Sequence, residues 1–210
     1  MCINILAIVS SELRFLPVER CHWGNETCES YIKGYTRAMT EELWGQAGIM
    51  AYQAAAQWMR TNNGSSQELD ESQKQHLRPY FGSLVDRVAI VYNAKLIDDW
   101  LYADFQIDIG QVDAIAQTYC RRIYIESSYK SSDPSQLTLL AHELVHSMQC
   151  EQLGGADKFG YYYFKEFKRA NQSYENNKLE READDFQGKF ARWLSHQLAN
   201  KQAIPIPTIN

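Results

Sequence analysis

The sequence predicts a mixed α+β fold, a small antiparallel sheet packed against long amphipathic helices and preceded by a helical region of its own. Three observations predict it. Apolar residues keep helical spacing in three long stretches, short β-rich runs lie between the first and second of them, and a polar Asn- and Ser-rich break separates the first stretch from the rest of the chain. At 210 residues, 45% hydrophobic and 22% charged, the chain has the size and balance of one globular domain with a helical appendage. The expected organisation is an N-terminal helical region over residues 1–67 and a second domain over residues 68–210.

Over residues 28–60, Ile32, Tyr35, Met39, Leu43, Ala47, Met50, Ala54 and Trp58 recur every three or four positions, which predicts helix. Gly34, Gly45 and Gly48 are expected to bend or split it, and Asn62-Asn63-Gly64-Ser65-Ser66 reads as a linker. Residues 70–80 then read as a short helix, 87–92 as a strand and 94–102 as another helix. Residues 114–119 and 122–127 read as two strands joined tightly at Cys120 and Arg121. Asp133 is a helix cap, Pro134 suits the first turn, Gln136 is placed to reach back as in a capping box, and Gly154-Gly155 supplies the stop. A last helix is expected over residues 175–199, with Leu179, Ala183, Phe186, Phe190 and Leu194 as its apolar stripe.

A net charge of −5 argues against nucleic acid as a partner, because a sequence-independent grip on phosphates needs a basic field. The apolar run at residues 3–9 is too short to span a bilayer and lacks the basic residues that open a secretory signal, so no membrane span and a cytoplasmic location are expected. The five cysteines are scattered and odd in number, which predicts reduced thiols. Cys21 and Cys28, with His22 beside them, offer one bridge or part of a second metal site, though their spacing fits no common zinc pattern.

The helix opened by Asp133 carries the chemistry. Leu137, Leu140, Ala141, Leu144, Val145 and Met148 give it a broad apolar face, so its polar residues lie where burial is expected. Among them is His142-Glu143-Leu144-Val145-His146, an H-E-x-x-H pattern. Residues i and i+4 stack on one helix face, so both imidazoles can reach one zinc ion, while Glu143 lies beside the water that such an ion activates. Glu143 is then the expected base, and hydrolysis the expected reaction.

A third ligand is required, because catalytic zinc usually keeps three protein ligands and one open position. His22, His76 and His196 lie in poor places for that role. Leu179-Glu180-Arg181-Glu182-Ala183-Asp184 offers acids, and Glu180 and Glu182 flank the apolar stripe on opposite sides, so helix geometry alone does not choose between them. Their neighbours favour Glu180: its side continues through Asp184, Gln187, Gly188 and Ala191, whereas Glu182 continues into the charged row Asp185, Lys189 and Arg192. Asp184, one turn on, is expected to orient a ligating imidazole from behind.

H-E-x-x-H followed by Glu180-Arg181-Glu182-Ala183-Asp184 resembles the gluzincin pattern of metallopeptidases. Leu69-Asp70, Phe81-Gly82, Arg87-Val88, Ile123-Tyr124-Ile125 and Leu140 to His146 with Gln149 are similar to a bacterial family of metallopeptidase domains, often called the core domain of extracellular contractile injection systems. The resemblance spans about residues 68–190. It implies a compact zincin-like domain with zinc on His142, His146 and Glu180, Glu143 as catalytic base, and secretion by a non-classical or injection route as an alternative to the cytoplasm.

The expected activity is therefore zinc-dependent hydrolysis of a peptide or protein substrate. The rivals are a non-catalytic module stapled by zinc and an effector or self-processing domain. Tyr161, Tyr162 and Tyr163 are candidates, by position alone, to hold the oxyanion or substrate, with aromatic packing over the metal helix as the plainer alternative. The strand over residues 122–127 is expected to pair with an extended peptide.

Overall fold

The computed structural model describes residues 26–97, 100–102, 105–107 and 115–202, with side chains described for 37–97 and 115–200. Two compact units divide the chain, residues 1–40 and 41–210. The division falls inside the first helix, α1 (Glu26–Asn62), rather than at the polar break near residue 67. The reason is packing: Ala51, Tyr52, Ala55, Ala56 and Met59 of α1 are buried in the second unit. The polar break itself is tied down, since Gln67 exchanges both backbone hydrogen bonds with Ile90 at 2.8 and 2.7 Å.

The helix α1 is continuous through its glycines, contrary to the expected bend or split. One of them, Gly48, serves close approach to a glycine of another helix instead. A Cβ on Gly48 would lie 2.6 Å from the carbonyl oxygen of Gly160, and one on Gly160 would lie 2.7 Å from that of Gly48, so α1 touches helix α4 (Ala156–Arg169) backbone to backbone. Without side chains the two residues let the axes meet.

Helix α2 (Glu71–Phe81) opens on a full capping box between Asp70 and Gln73 and runs into a 3-10 turn over Gly82–Asp86. Strand β1 (Ala89–Tyr92) follows. The helix expected over residues 94–102 is absent: 94–97 are irregular, and β2 (Trp100–Tyr102) pairs antiparallel with β3 (Phe105–Ile107). Tertiary partners have taken the backbone donors that a helix would use. Asn93 and Ala94 donate to Ser127 and Ile125 carbonyls, Lys95 to the Asn63 side chain, and Ile97 to the Gln117 side chain.

Strands β4 (Ala116–Tyr119) and β5 (Arg122–Ile125) form a hairpin turned by Cys120, whose φ is +54°. The sheet order is β1-β5-β4, with β5 parallel to β1 and antiparallel to β4, so the sheet is mixed rather than antiparallel. Ile123, Tyr124 and Ile125 are all buried, as suits a central strand covered on both faces. Because both edges of β5 are occupied, it cannot take up a peptide; the outermost strand on that side is β4. There the Tyr52 hydroxyl bridges the Thr118 carbonyl oxygen at 3.3 Å and the Cys120 amide at 2.9 Å.

Helix α3 (Pro134–Leu153) begins where Asp133 accepts from the amides of Ser135 and Gln136, and it stops at Gly154 with φ +96°. Gln136 does not close a capping box. Its side chain accepts from Lys130 N and donates to Ser128 O, pinning the preceding loop. After α4 comes α5 (Lys178–Gln202). One core joins α2, β1, β5, α3 and α5 through Leu77, Ile90, Ile123, Leu140, Leu144 and Phe190. A second joins α1 to Tyr119, Tyr124, Cys150, Phe159 and Leu179.

Cys120 and Cys150 form a disulfide, Cα–Cα 5.3 Å, which corrects the expectation of reduced thiols for these two. The pairing joins the β4–β5 turn to the last turns of α3, a proximity created only by the tertiary fold. Cys21 lies outside the described residues, and so does the side chain of Cys28. No described helix is long and apolar enough to cross a membrane.

Candidate metal centre

The apolar side of α3 is what brings its histidines into the interior. Leu140, Ala141, Leu144 and Val145 pack with Ala183, Phe190 and Leu194 of α5, and that contact carries His142, His146 and Glu180 inward with it. The four residues of the cluster are all buried: His142 and His146 are 7% exposed, Glu143 5% and Glu180 3%.

The three prospective ligand atoms form a compact triangle. His142 Nε2 lies 3.1 Å from His146 Nε2. Glu180 Oε2 lies 3.2 Å from His146 Nε2 and 3.5 Å from His142 Nε2. Ligands about 2.0 to 2.1 Å from one tetrahedral ion stand roughly 3.3 Å apart, so the triangle has the size that zinc requires. Two nitrogens and one carboxylate oxygen are also a donor set suited to zinc. The described residues include this one group of three or more His, Cys, Asp or Glu side chains arranged to hold a metal ion.

Hydrogen bonds behind the ligands set their orientation. The His146 Nδ1–H donates to Gln149 Oε1 at 3.0 Å, leaving Nε2 to point at the other two ligand atoms. Gln149 is held in turn, its Nε2 donating to Leu179 O and Glu182 Oε2, each at 3.1 Å. Asp184 Oδ1 is 3.3 Å from His142 Nδ1, although Asp184 is 57% exposed and the nitrogen makes no well-directed hydrogen bond. Tyr163 donates to Glu180 Oε1 at 2.6 Å. Glu182 takes part only through Gln149, which leaves Glu180 as the acid facing both imidazoles.

Electrostatics bind the cluster together. Burial opposes charge on His146, and the neighbouring Glu180 carboxylate outweighs it, raising the imidazole to about 9. Burial pushes Glu180 up as well, but His146, His142 and Tyr163 together hold it well below the ordinary carboxylate range. Burial and the Glu180 charge push Tyr163 and Tyr174 above the usual phenol value, so both keep their protons.

Glu143 lies outside the triangle, one residue on from His142. Its Oε2 accepts from Thr118 Oγ1 at 2.7 Å, which ties the acid to strand β4. Of the three consecutive tyrosines only Tyr163 reaches the cluster. Successive helical residues point about 100° apart, so Tyr161 instead bonds Glu42 and Lys165, and Tyr162 is 42% exposed. Sequence reasoning missed Thr118 and Tyr174 as neighbours of the site. Neither carries a periodic or motif signal, because one arrives through strand register and the other through the turn between α4 and α5.

Residues 68–154 of the chain match the eCIS core domain family. The match supports the family resemblance over a shorter span than 68–190: it holds His142, Glu143 and His146 and ends before Glu180. No curated protein and no solved structure matches the chain.

Proposed function

We propose that the chain hydrolyses peptide bonds at a zinc ion held by His142, His146 and Glu180. The observation that carries this reading is the triangle of 3.1, 3.2 and 3.5 Å between ligand atoms from two helices, with Glu143 adjoining it. Zinc bound there would supply Lewis acidity to polarise a carbonyl and acidify a water. The chain supplies the proton handling. Glu143 takes the proton of the attacking water at its carboxylate and delivers it to the leaving amine, while Thr118 holds the Oε2 atom in place. Tyr174 keeps its phenolic proton beside Glu180, and in this reading it turns that proton to a developing oxyanion. A substrate in extended form lies along the outer edge of β4, the strand that touches Glu143.

The test is metal analysis and peptide-library cleavage on the parent and on Glu143→Gln. One zinc per chain in both, with cleavage in the parent alone, is the expected result. Cleavage that survives Glu143→Gln, or a parent that binds no zinc, sinks the reading. A second reading, a zinc-stapled module without turnover, is favoured by the depth of burial of all three ligands. It predicts that chelation unfolds the protein and that no peptide is cut.

A further inference from the structure

We propose that a cleft at the C-terminal end of α3 binds a multiply charged oxyanion, a phosphate or phosphate ester. The cleft has a volume of about 860 Å³, and none of His142, Glu143, His146 or Glu180 lines it. Its walls carry Arg60, Arg87, Arg121 and Arg122 against a single acid, Glu151. That concentration of cations stands out in a chain of net charge −5.

Glu151 neutralises only part of it. It pairs with Arg87 at 2.8 Å and Arg121 at 2.7 Å, so the two cations share one carboxylate. Among the described residues Arg60 and Arg122 have no acidic partner: Arg60 donates to the Ala56 carbonyl and Arg122 to the Ser66 hydroxyl. Solvated surface arginines need nothing more, so the second observation is decisive. Tyr124 lines the cleft, is 1% exposed, and its hydroxyl makes no well-directed hydrogen bond, its near polar neighbour being the Arg122 side chain; Arg122 Nε is likewise buried without a well-directed acceptor. A buried donor without a well-directed acceptor is costly and uncommon, and a ligand oxygen would satisfy it. Burial raises the Tyr124 phenol, while the charges of Arg122 and Arg60 and a weak side-chain hydrogen bond with Arg122 oppose the rise.

The backbone adds to this field. Helix α4 starts at the cleft, where Gly155 and Ala156 line the wall, and its first turn has no side-chain cap. The Gly155 amide is taken by the Cys150 carbonyl at 2.8 Å, so what the 14-residue helix adds is the positive end of its dipole at Ala156 on the cleft wall. Guanidinium forks suit a tetrahedral oxyanion with several acceptor oxygens, and the uncompensated charge favours a dianion over a carboxylate.

Calorimetric titration of the full chain tests this, with inorganic phosphate, glycerol phosphate and acetate at ionic strength held constant with sodium chloride. Saturable one-to-one binding of phosphate is expected, with acetate at least about tenfold weaker. Loss of a charge-assisted hydrogen bond should weaken phosphate about tenfold in Arg122→Gln and Arg60→Gln, and several-fold in Tyr124→Phe. Arg60 lies on the exposed side of α1, so Arg60→Gln keeps the test decisive if Arg122→Gln fails to fold. Tighter binding of the ester identifies a larger phosphorylated molecule as the ligand, and equal binding identifies the free ion; either supports the site. No saturable binding, acetate equal to phosphate, or arginine variants within twofold of the parent overturns it, the last because the anion would then sit elsewhere, for example on the metal.

Discussion

Gln149 decides which nitrogen of His146 faces His142 and Glu180. Its carbonyl oxygen holds Nδ1–H, and its amide is anchored to Leu179 and Glu182 on the neighbouring helix, so the imidazole cannot turn without breaking its bond to an acceptor that two further hydrogen bonds hold in place. Partners of this kind typically contribute 10- to 100-fold in metal affinity. Gln149→Leu should therefore weaken zinc by about that factor with the fold intact, as read by competition against a chromogenic chelator, whereas an unchanged affinity would show the ring to be oriented by packing alone. At this scale much of the site was legible in the sequence. The spacing of His142 and His146 is a helical repeat, and the neighbours of Glu180 set it apart from the charged row that continues from Glu182, although no other helix closes on Gly188. Thr118 and Tyr174 were not legible, because which strand residue meets Glu143 and where an irregular turn leads are decided by tertiary packing.

Between elements, the contact of α1 with α4 sets how closely the part of α1 that belongs to the second unit lies against α4. Gly48 and Gly160 meet through their backbones, and either Cβ would fall well inside van der Waals contact with a carbonyl oxygen that cannot swing aside. Gly160→Ala should destabilise the protein by about 1 to 3 kcal/mol despite alanine's better helix propensity. Gly64→Ala, where nothing lies within 4 Å of the added carbon, serves as the control. Urea unfolding of both variants checks the prediction, and equal midpoints would refute the close packing. The same elements show why local reading failed elsewhere. Glycines in a helical run read as breaks, and residues 94–102 read as helix, because propensity carries no information about a partner helix or about carbonyls waiting on β5.

For the whole second unit, the disulfide between Cys120 and Cys150 closes a loop 30 residues apart in sequence and joins the sheet to α3. On the loop-entropy argument such a link stabilises the folded chain by about 3 to 4 kcal/mol. Reductant, or Cys120→Ser, should then lower Tm by roughly 10 °C, and reductant should do nothing further to the variant. In a reducing compartment the chain is expected to behave as that variant does. Parity of scattered cysteines could not foretell this bridge, since pairing depends on which turn lands beside which helix. The organisation beyond it was legible in part: the mixed α+β class and the two helices that carry His142, His146 and Glu180 were, while the division inside α1 was not, because the apolar stripe of α1 does not say where along its length a neighbour begins. One consequence concerns the phenol of Tyr52 on the rim of β4. It already occupies the carbonyl of Thr118 and the amide of Cys120, which an incoming extended chain would claim for itself, so any guest settling there must evict a resident side chain and then hold ground that α1 competes to regain.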